Sequence, residues 1–169
     1  MPDLVPAGAR VRVGDINNRA PVLVVYEAIT SSTAGTTSTG AQPAITTDPV
    51  TLRTGRAFRI CYRGGMTSTT SGQQGTVLVA RGSAGGSTLL NSQRIPGPTG
   101  QAGTVGFYFE NIVVNQTGVD ITTVLVGTYQ MVYPQGSGTI GIFASSTTPA
   151  YVEVVDIGPA GDYPSATPL

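Results

Sequence analysis

The stretch Ala57-Phe58-Arg59-Ile60-Cys61-Tyr62-Arg63 places large apolar side chains at every second position and charges between them. A repeat of two is that of a β-strand, whose successive side chains point to opposite faces. Phe58, Ile60 and Tyr62 are therefore assigned to a core. Arg59 and Arg63 fall on the face turned toward solvent or a partner. No segment of eleven or more residues sustains a 3.6-residue period, and abundant Gly and β-branched residues argue against long helices.

Working outward, other short runs read as strands: Val22–Ile29, a region near Ala44–Leu52, Thr76–Arg81, Ser87–Ile95, Val105–Val114, Val119–Val132, Thr139–Ala144 and Tyr151–Ile157. The last is less regular than 57–63. Val152 and Val154 share a face with Asp156, while Val155 and Ile157 share one with Glu153, and a strand apolar on both faces suits a place beneath a second layer or subunit. Clusters of Ser, Thr, Gly and Pro at Thr30–Gly40, Gly64–Gly75, Gly82–Gly86, Pro96–Gly103 and Gln135–Gly138 read as turns and loops. Short strands at this spacing predict an all-β fold, a single antiparallel β-sandwich or jelly-roll-like domain with an extended N-terminal arm.

A chain of 169 residues is sized for one domain. Residues 1–20 hold Pro2, Pro6, Gly8 and Gly14 without periodicity and are expected as the arm. Residues 21–160 form the sandwich and 161–169 a C-terminal tail. The opening residues show no basic run leading into an apolar one. Val22–Tyr26 is far shorter than the ~20 residues of a membrane span. Assembly in a cytoplasm is therefore expected, with no membrane partner, and Asn115-Gln116-Thr117 reads as a polar turn rather than a glycosylation site.

Composition narrows function by subtraction. Charged residues make up 11% of the chain, against a usual ~25%. There is no His, Trp or Lys, and Cys61 is the single cysteine. Ser-His and Cys-His nucleophile pairs, His-ligated metals, a Walker lysine, Schiff bases, internal disulfides and Cys-rich metal sites are all excluded. Paired carboxylates are the remaining catalytic vocabulary. Glu27, Glu110 and Glu153 fall on three separate strands, however, and nothing in their spacing pairs Glu110 with either of the others. Glu153 and Asp156, three apart on a strand, face opposite sides. No metal or cofactor is expected, and the chain is not expected to be an enzyme.

The remaining motifs are weak. Arg81-Gly82-Ser83-Ala84-Gly85-Gly86 lacks the Gly-Lys-Ser/Thr ending and the following helix of a phosphate loop, and reads as a hairpin loop. Gly97-Pro98-Thr99-Gly100-Gln101-Ala102-Gly103 is too short a Gly-X-Y run for a triple helix. Cys61 suits a small packed residue. Phe107, Tyr108 and Phe109 must alternate across a sheet, with one face core. Residues 1–94 hold all nine Arg and four acids, a net +5, and residues 95–169 hold five acids and no base, a net −5. A nucleic-acid platform would interleave bases with those aromatics, so no nucleic-acid partner is expected. An extended arm would instead present Arg10, Arg12 and Arg19 to an acidic neighbour, for which Arg is better suited than Lys.

Three stretches carry a resemblance: Val5-Pro6-Ala7-Gly8-Ala9-Arg10-Val11-Arg12-Val13-Gly14-Asp15-Ile16-Asn17, Gly55-Arg56-Ala57-Phe58-Arg59-Ile60, and Pro149-Ala150-Tyr151-Val152-Glu153-Val154-Val155-Asp156-Ile157-Gly158-Pro159-Ala160. In this order they resemble small β-rich virion proteins of actinobacterial tailed phages, minor tail or head-decoration components. The resemblance implies a non-enzymatic structural protein located in the virion. As a capsid decoration protein it would bind the outer surface of the head and stabilise the shell. Its partners would be the major capsid protein or other virion proteins, and by analogy it would be a homotrimer. In that setting Arg10, Arg12 and Arg19 would lie along the shell or an adjacent copy, and Arg56, Arg59 and Arg63 would face an acidic partner. The alternative is a minor tail or fibre protein that offers its Ser/Thr-rich loops, Thr30–Gly40 and Thr67–Gly75, to a host surface. A carbohydrate-binding or carbohydrate-active sandwich is the third reading.

Overall fold

The alternation at 57–63 is realised in the longest run of pairing in the molecule. In the computed structural model, which describes residues 18–92, 94–97, 103–134 and 136–169, it lies within β4 (Arg56–Ser68). Before it come β1 (Val22–Ile29), β2 (Gln42–Thr46) and β3 (Val50–Leu52). After it come β5 (Gln74–Arg81), β6 (Ser87–Asn91), β7 (Ile95–Pro96), β8 (Gly103–Asn115), β9 (Ile121–Thr123), β10 (Leu125–Tyr133), β11 (Ile140–Phe143), β12 (Ala150–Pro159) and β13 (Thr167–Pro168). Among the described residues the only helical segment is a 3-10 turn at Ala160–Asp162. The all-β expectation is met.

Two sheets face each other. The larger runs β1-β12-β4-β8-β13, with β11 pairing β4 beyond the end of β12. The smaller runs β2-β10-β5-β6, with β7 on β5, and β3 and β9 form a separate ribbon. Every pairing is antiparallel except β13 on β8. Phe58, Ile60 and Tyr62 of β4, with Val152 and Val154 of β12, meet Val77 and Val79 of β5 and Leu125, Tyr129 and Met131 of β10 in one continuous core. This is an antiparallel β-sandwich, its interior filled by alternate residues of each strand. The sheets approach closely at Gly127, where an added Cβ would lie 2.8 Å from Val152 Cγ2 and 3.3 Å from the Tyr62 ring.

Where the strands differ from expectation, the reasons are local. Val119–Val132 divides at Val124 into β9 and β10, and the region near Ala44–Leu52 divides into β2 and β3 at Thr47-Asp48-Pro49, where proline removes a ladder donor. Ser87–Ile95 likewise divides into β6 and β7. The larger correction concerns Gly64–Gly75, expected as a loop. β4 continues through Gly64 and Gly65 to Ser68. These glycines are sites of close approach: a Cβ on Gly64 would lie 2.9 Å from that of Ala150, and one on Gly65 2.7 Å from Thr104 Cγ2.

Residues 1–17 lie outside the described residues, and with them most of the expected arm, including Arg10 and Arg12. Residues 18–20 form a turn before β1. The segment 161–169, expected as a tail, lies along β8. Thr167 and Pro168 pair with Val113 and Val114, and the Leu169 N–H donates to the Val114 carbonyl at 3.0 Å.

Candidate functional site

Side chains on the outer face of the large sheet follow from the register. One row runs Ala28, Tyr151, Arg63, Tyr108 across β1, β12, β4 and β8, and the next runs Tyr26, Glu153, Cys61, Glu110. A third places Val155, Arg59 and Ile112 side by side. The second face of Tyr151–Ile157, which the sequence assigned to a place beneath a second layer or subunit, is thus the exterior of this sheet. Tyr26 and Tyr108 are about half exposed, and the Tyr26 and Tyr151 rings stack obliquely at 4.9 Å. A soluble sheet more often presents polar groups here, and an apolar or aromatic cluster on such a face marks a contact surface.

The charges on this face are paired with one exception. Arg59 Nη2 lies 3.6 Å from Glu153 Oε1. The Tyr108 hydroxyl donates to Glu110 Oε2 at 2.8 Å, and this bond to the carboxylate pushes the phenol well above its ordinary range. Cys61, buried at the centre of the grid, has its thiol pushed up by burial, which disfavours the reactive thiolate. Arg63, exposed between Tyr151 and Tyr108, has no ion pair or hydrogen bond among the described residues.

The six arginines singled out from sequence therefore separate. Arg59 and Arg63 share the outer face, as their alternation with Phe58 and Tyr62 predicts. Arg56 is in phase with Phe58 and turns inward, to an acidic partner within the chain. Its Nε donates to both carboxylate oxygens of Asp156, at 3.0 and 2.9 Å, and its Nη2 to Oδ1 at 2.7 Å. Nη1 reaches the Asn18 carbonyl at 2.6 Å and also its side-chain oxygen. Counting by twos from Phe58 would have placed it. Arg19 is exposed in the turn before β1.

The structure also brings together two acids that the sequence left apart. Glu153 and Glu110 flank Cys61 on neighbouring strands, about 10 Å apart at two strand spacings. Each is engaged, with Arg59 and Tyr108 respectively, on an open face. Among the described residues no group of three or more His, Cys, Asp or Glu could hold a metal ion.

Beyond Arg63 the same face opens into a groove of about 810 Å³. Gly65 and Gly106 are paired across β4 and β8, and Phe143 of β11 flanks Gly65 on the other side. Phe143 and Thr104 lie over Gly65, whereas Gly106 has no atom within 4 Å of where a Cβ would stand. Tyr108, Phe143 and Tyr151 wall the groove, and Thr147 and Thr148 bring hydroxyls to its rim. No local pattern marks it, because it needs the pairing of Gly65 with Gly106, 41 residues away.

No family model matches the chain, and no curated protein matches it. Among solved structures it is similar to a chain of the Gt strain of infectious bursal disease virus, at 13% identity over 87% of this chain and 35% of that one, with a TM-score of 0.44. It is also similar to VP2 of the same virus in a subviral particle, at 9% identity over 82% and 38%, with a TM-score of 0.38. The chain spans little more than a third of the length of these solved chains. At these values the likeness lends no weight to any assignment, and the functional reading rests on the chain's own geometry.

Proposed function

We propose that the chain is a non-enzymatic structural protein of a bacteriophage virion, a capsid decoration protein that sits on the outer surface of the head and stabilises the shell. One observation carries the reading: the outer face of the large sheet is aromatic, exposed and nearly neutral, with Tyr26, Tyr108 and Phe143 uncovered and Arg63 unpaired. Such a face supports docking onto a protein surface whose own acids meet Arg63. The partner in this reading is the major capsid protein. Arg10, Arg12 and Arg19 add a basic lead-in, and three-fold copies would multiply each weak contact.

Purified protein added to undecorated heads tests this, with occupancy measured by co-sedimentation. Tyr108→Ala with Arg63→Glu removes an aromatic anchor and reverses the free charge, and is expected to weaken binding by about thirtyfold or more. Unaltered binding by the double variant would show that another surface docks. Immunogold on whole particles separates the second reading, a minor tail or fibre protein, which the aromatic groove beside Arg63 favours; label confined to the tail would replace the decoration reading.

A further inference from the structure

The groove floored by Gly106 has features that a flat protein contact does not need. Its centre is open at Gly106, and Tyr108, Tyr151 and Phe143 are among the residues that line it. Arg63 lines it with no carboxylate within 4 Å among the described residues, although Arg59, two rows away on the same strand, has Glu153. We infer that this groove binds an anionic sugar unit of an oligosaccharide, its ring on the aromatic walls and its carboxylate or phosphate on Arg63. Capsid acids and a sugar would compete for Arg63 and Tyr108, so the inference rests on the tail or fibre reading, in which this face stays free.

Two features select this ligand class. A pyranose ring offers one face of C–H groups, which packs on aromatic rings, and an equatorial belt of hydroxyls, which needs scattered polar partners. Aromatic residues and Thr104, Thr147 and Thr148 together line the groove; the Thr147 and Thr148 hydroxyls meet Ser145 Oγ at 3.2 and 2.7 Å and keep lone pairs for a further donor. A free guanidinium beside the ring favours an anion, because a carboxylate or phosphate meets its fork with two parallel hydrogen bonds and opposite charge, whereas a neutral hydroxyl offers a single uncharged acceptor. Gly65 is hydrogen-bonded to β8 on one side and β11 on the other and offers an extended peptide no main-chain pairing; β8 pairs only β4 along 103–112, and strand addition at that outer edge is the outcome the acidic peptide reports.

The geometry also supplies a variant that blocks the groove without crowding the fold. A side chain at Gly106 enters open space, and its backbone is not in the left-handed region. Calorimetric titration of the full chain with trigalacturonate, its methyl ester, galactose 6-phosphate and an acidic hexapeptide tests the assignment. Binding is expected for trigalacturonate or the sugar phosphate. The methyl ester is expected to bind at least about tenfold more weakly than the free acid, as is the wild-type ligand to Arg63→Gln. Gly106→Val is expected to reduce binding at least tenfold at unchanged melting temperature. Failure of both anionic sugars to bind at millimolar concentration would overturn the inference. So would sugar binding indifferent to Gly106→Val or Arg63→Gln, or capture of the peptide alone in a Gly106-dependent manner.

Discussion

Tyr62 shows how the sandwich treats a polar atom in its centre. Its ring is fully buried, edge-on to Phe107 at 5.1 Å, and its hydroxyl has no hydrogen-bond partner among the described residues. Burial pushes the phenol far above its ordinary range, and the nearby Tyr129 adds to the shift. An orphaned buried hydroxyl costs more than it returns, because it has given up water for nothing. Tyr62→Phe keeps the ring and removes the orphan. It is expected to leave urea stability unchanged or raise it by about 1 kcal/mol, and a loss of more than that would reveal a partner for the hydroxyl. Arg56 is the opposite case at this scale, since its charge turns inward but finds Asp156, whose carboxylate also accepts the Gly158 N–H at 3.0 Å.

At the scale of the strand, β4 and β8 explain why part of the fold was readable and part was not. Phe58, Ile60 and Tyr62 announced their face because period two is a local property. The same counting fixes Phe107 inward and Tyr108 outward. It failed at Gly64 and Gly65 because glycine is loop punctuation in sequence and a close-contact residue in a sheet, and only the partner strand distinguishes the two. The outer face was legible in Arg59 and Arg63, whereas the groove and the Glu110–Glu153 neighbourhood depend on register between distant segments. Gly64 and Gly106 make the distinction measurable. Gly64→Val would force two methyls toward Ala150 and the Phe107 ring, already 2.9 and 3.1 Å from an ideal Cβ, and is expected to cost about 1–3 kcal/mol. Gly106→Val, into open space, is expected to stay within about 0.5 kcal/mol of wild type. Thermal melts of the two variants that coincide would show that the packing at Gly64 relaxes freely.

For the molecule as a whole, the absence of His and Lys leaves few groups that exchange protons near neutrality. The perturbed groups are the Cys61 thiol and the phenols of Tyr62 and Tyr108, all raised in the folded state from ordinary values of 9.0 and 10.0. Below about pH 9 both folded and unfolded chains hold these protons, so the groups add no pH dependence to stability. Above it the unfolded chain releases them first, the folded state binds more protons, and stability falls as pH rises. Tyr62 alone, fully buried, accounts for a slope approaching about 1.4 kcal/mol per pH unit above pH 10; Tyr108, exposed to solvent, contributes less. Urea midpoints are therefore expected to stay level from pH 6 to 8.5 and to drop between pH 9.5 and 11, with a shallower drop in Tyr62→Phe. A wild-type profile that is flat to pH 11 would mean that the core takes up the phenolate without cost, which the apolar surroundings of Tyr62 forbid.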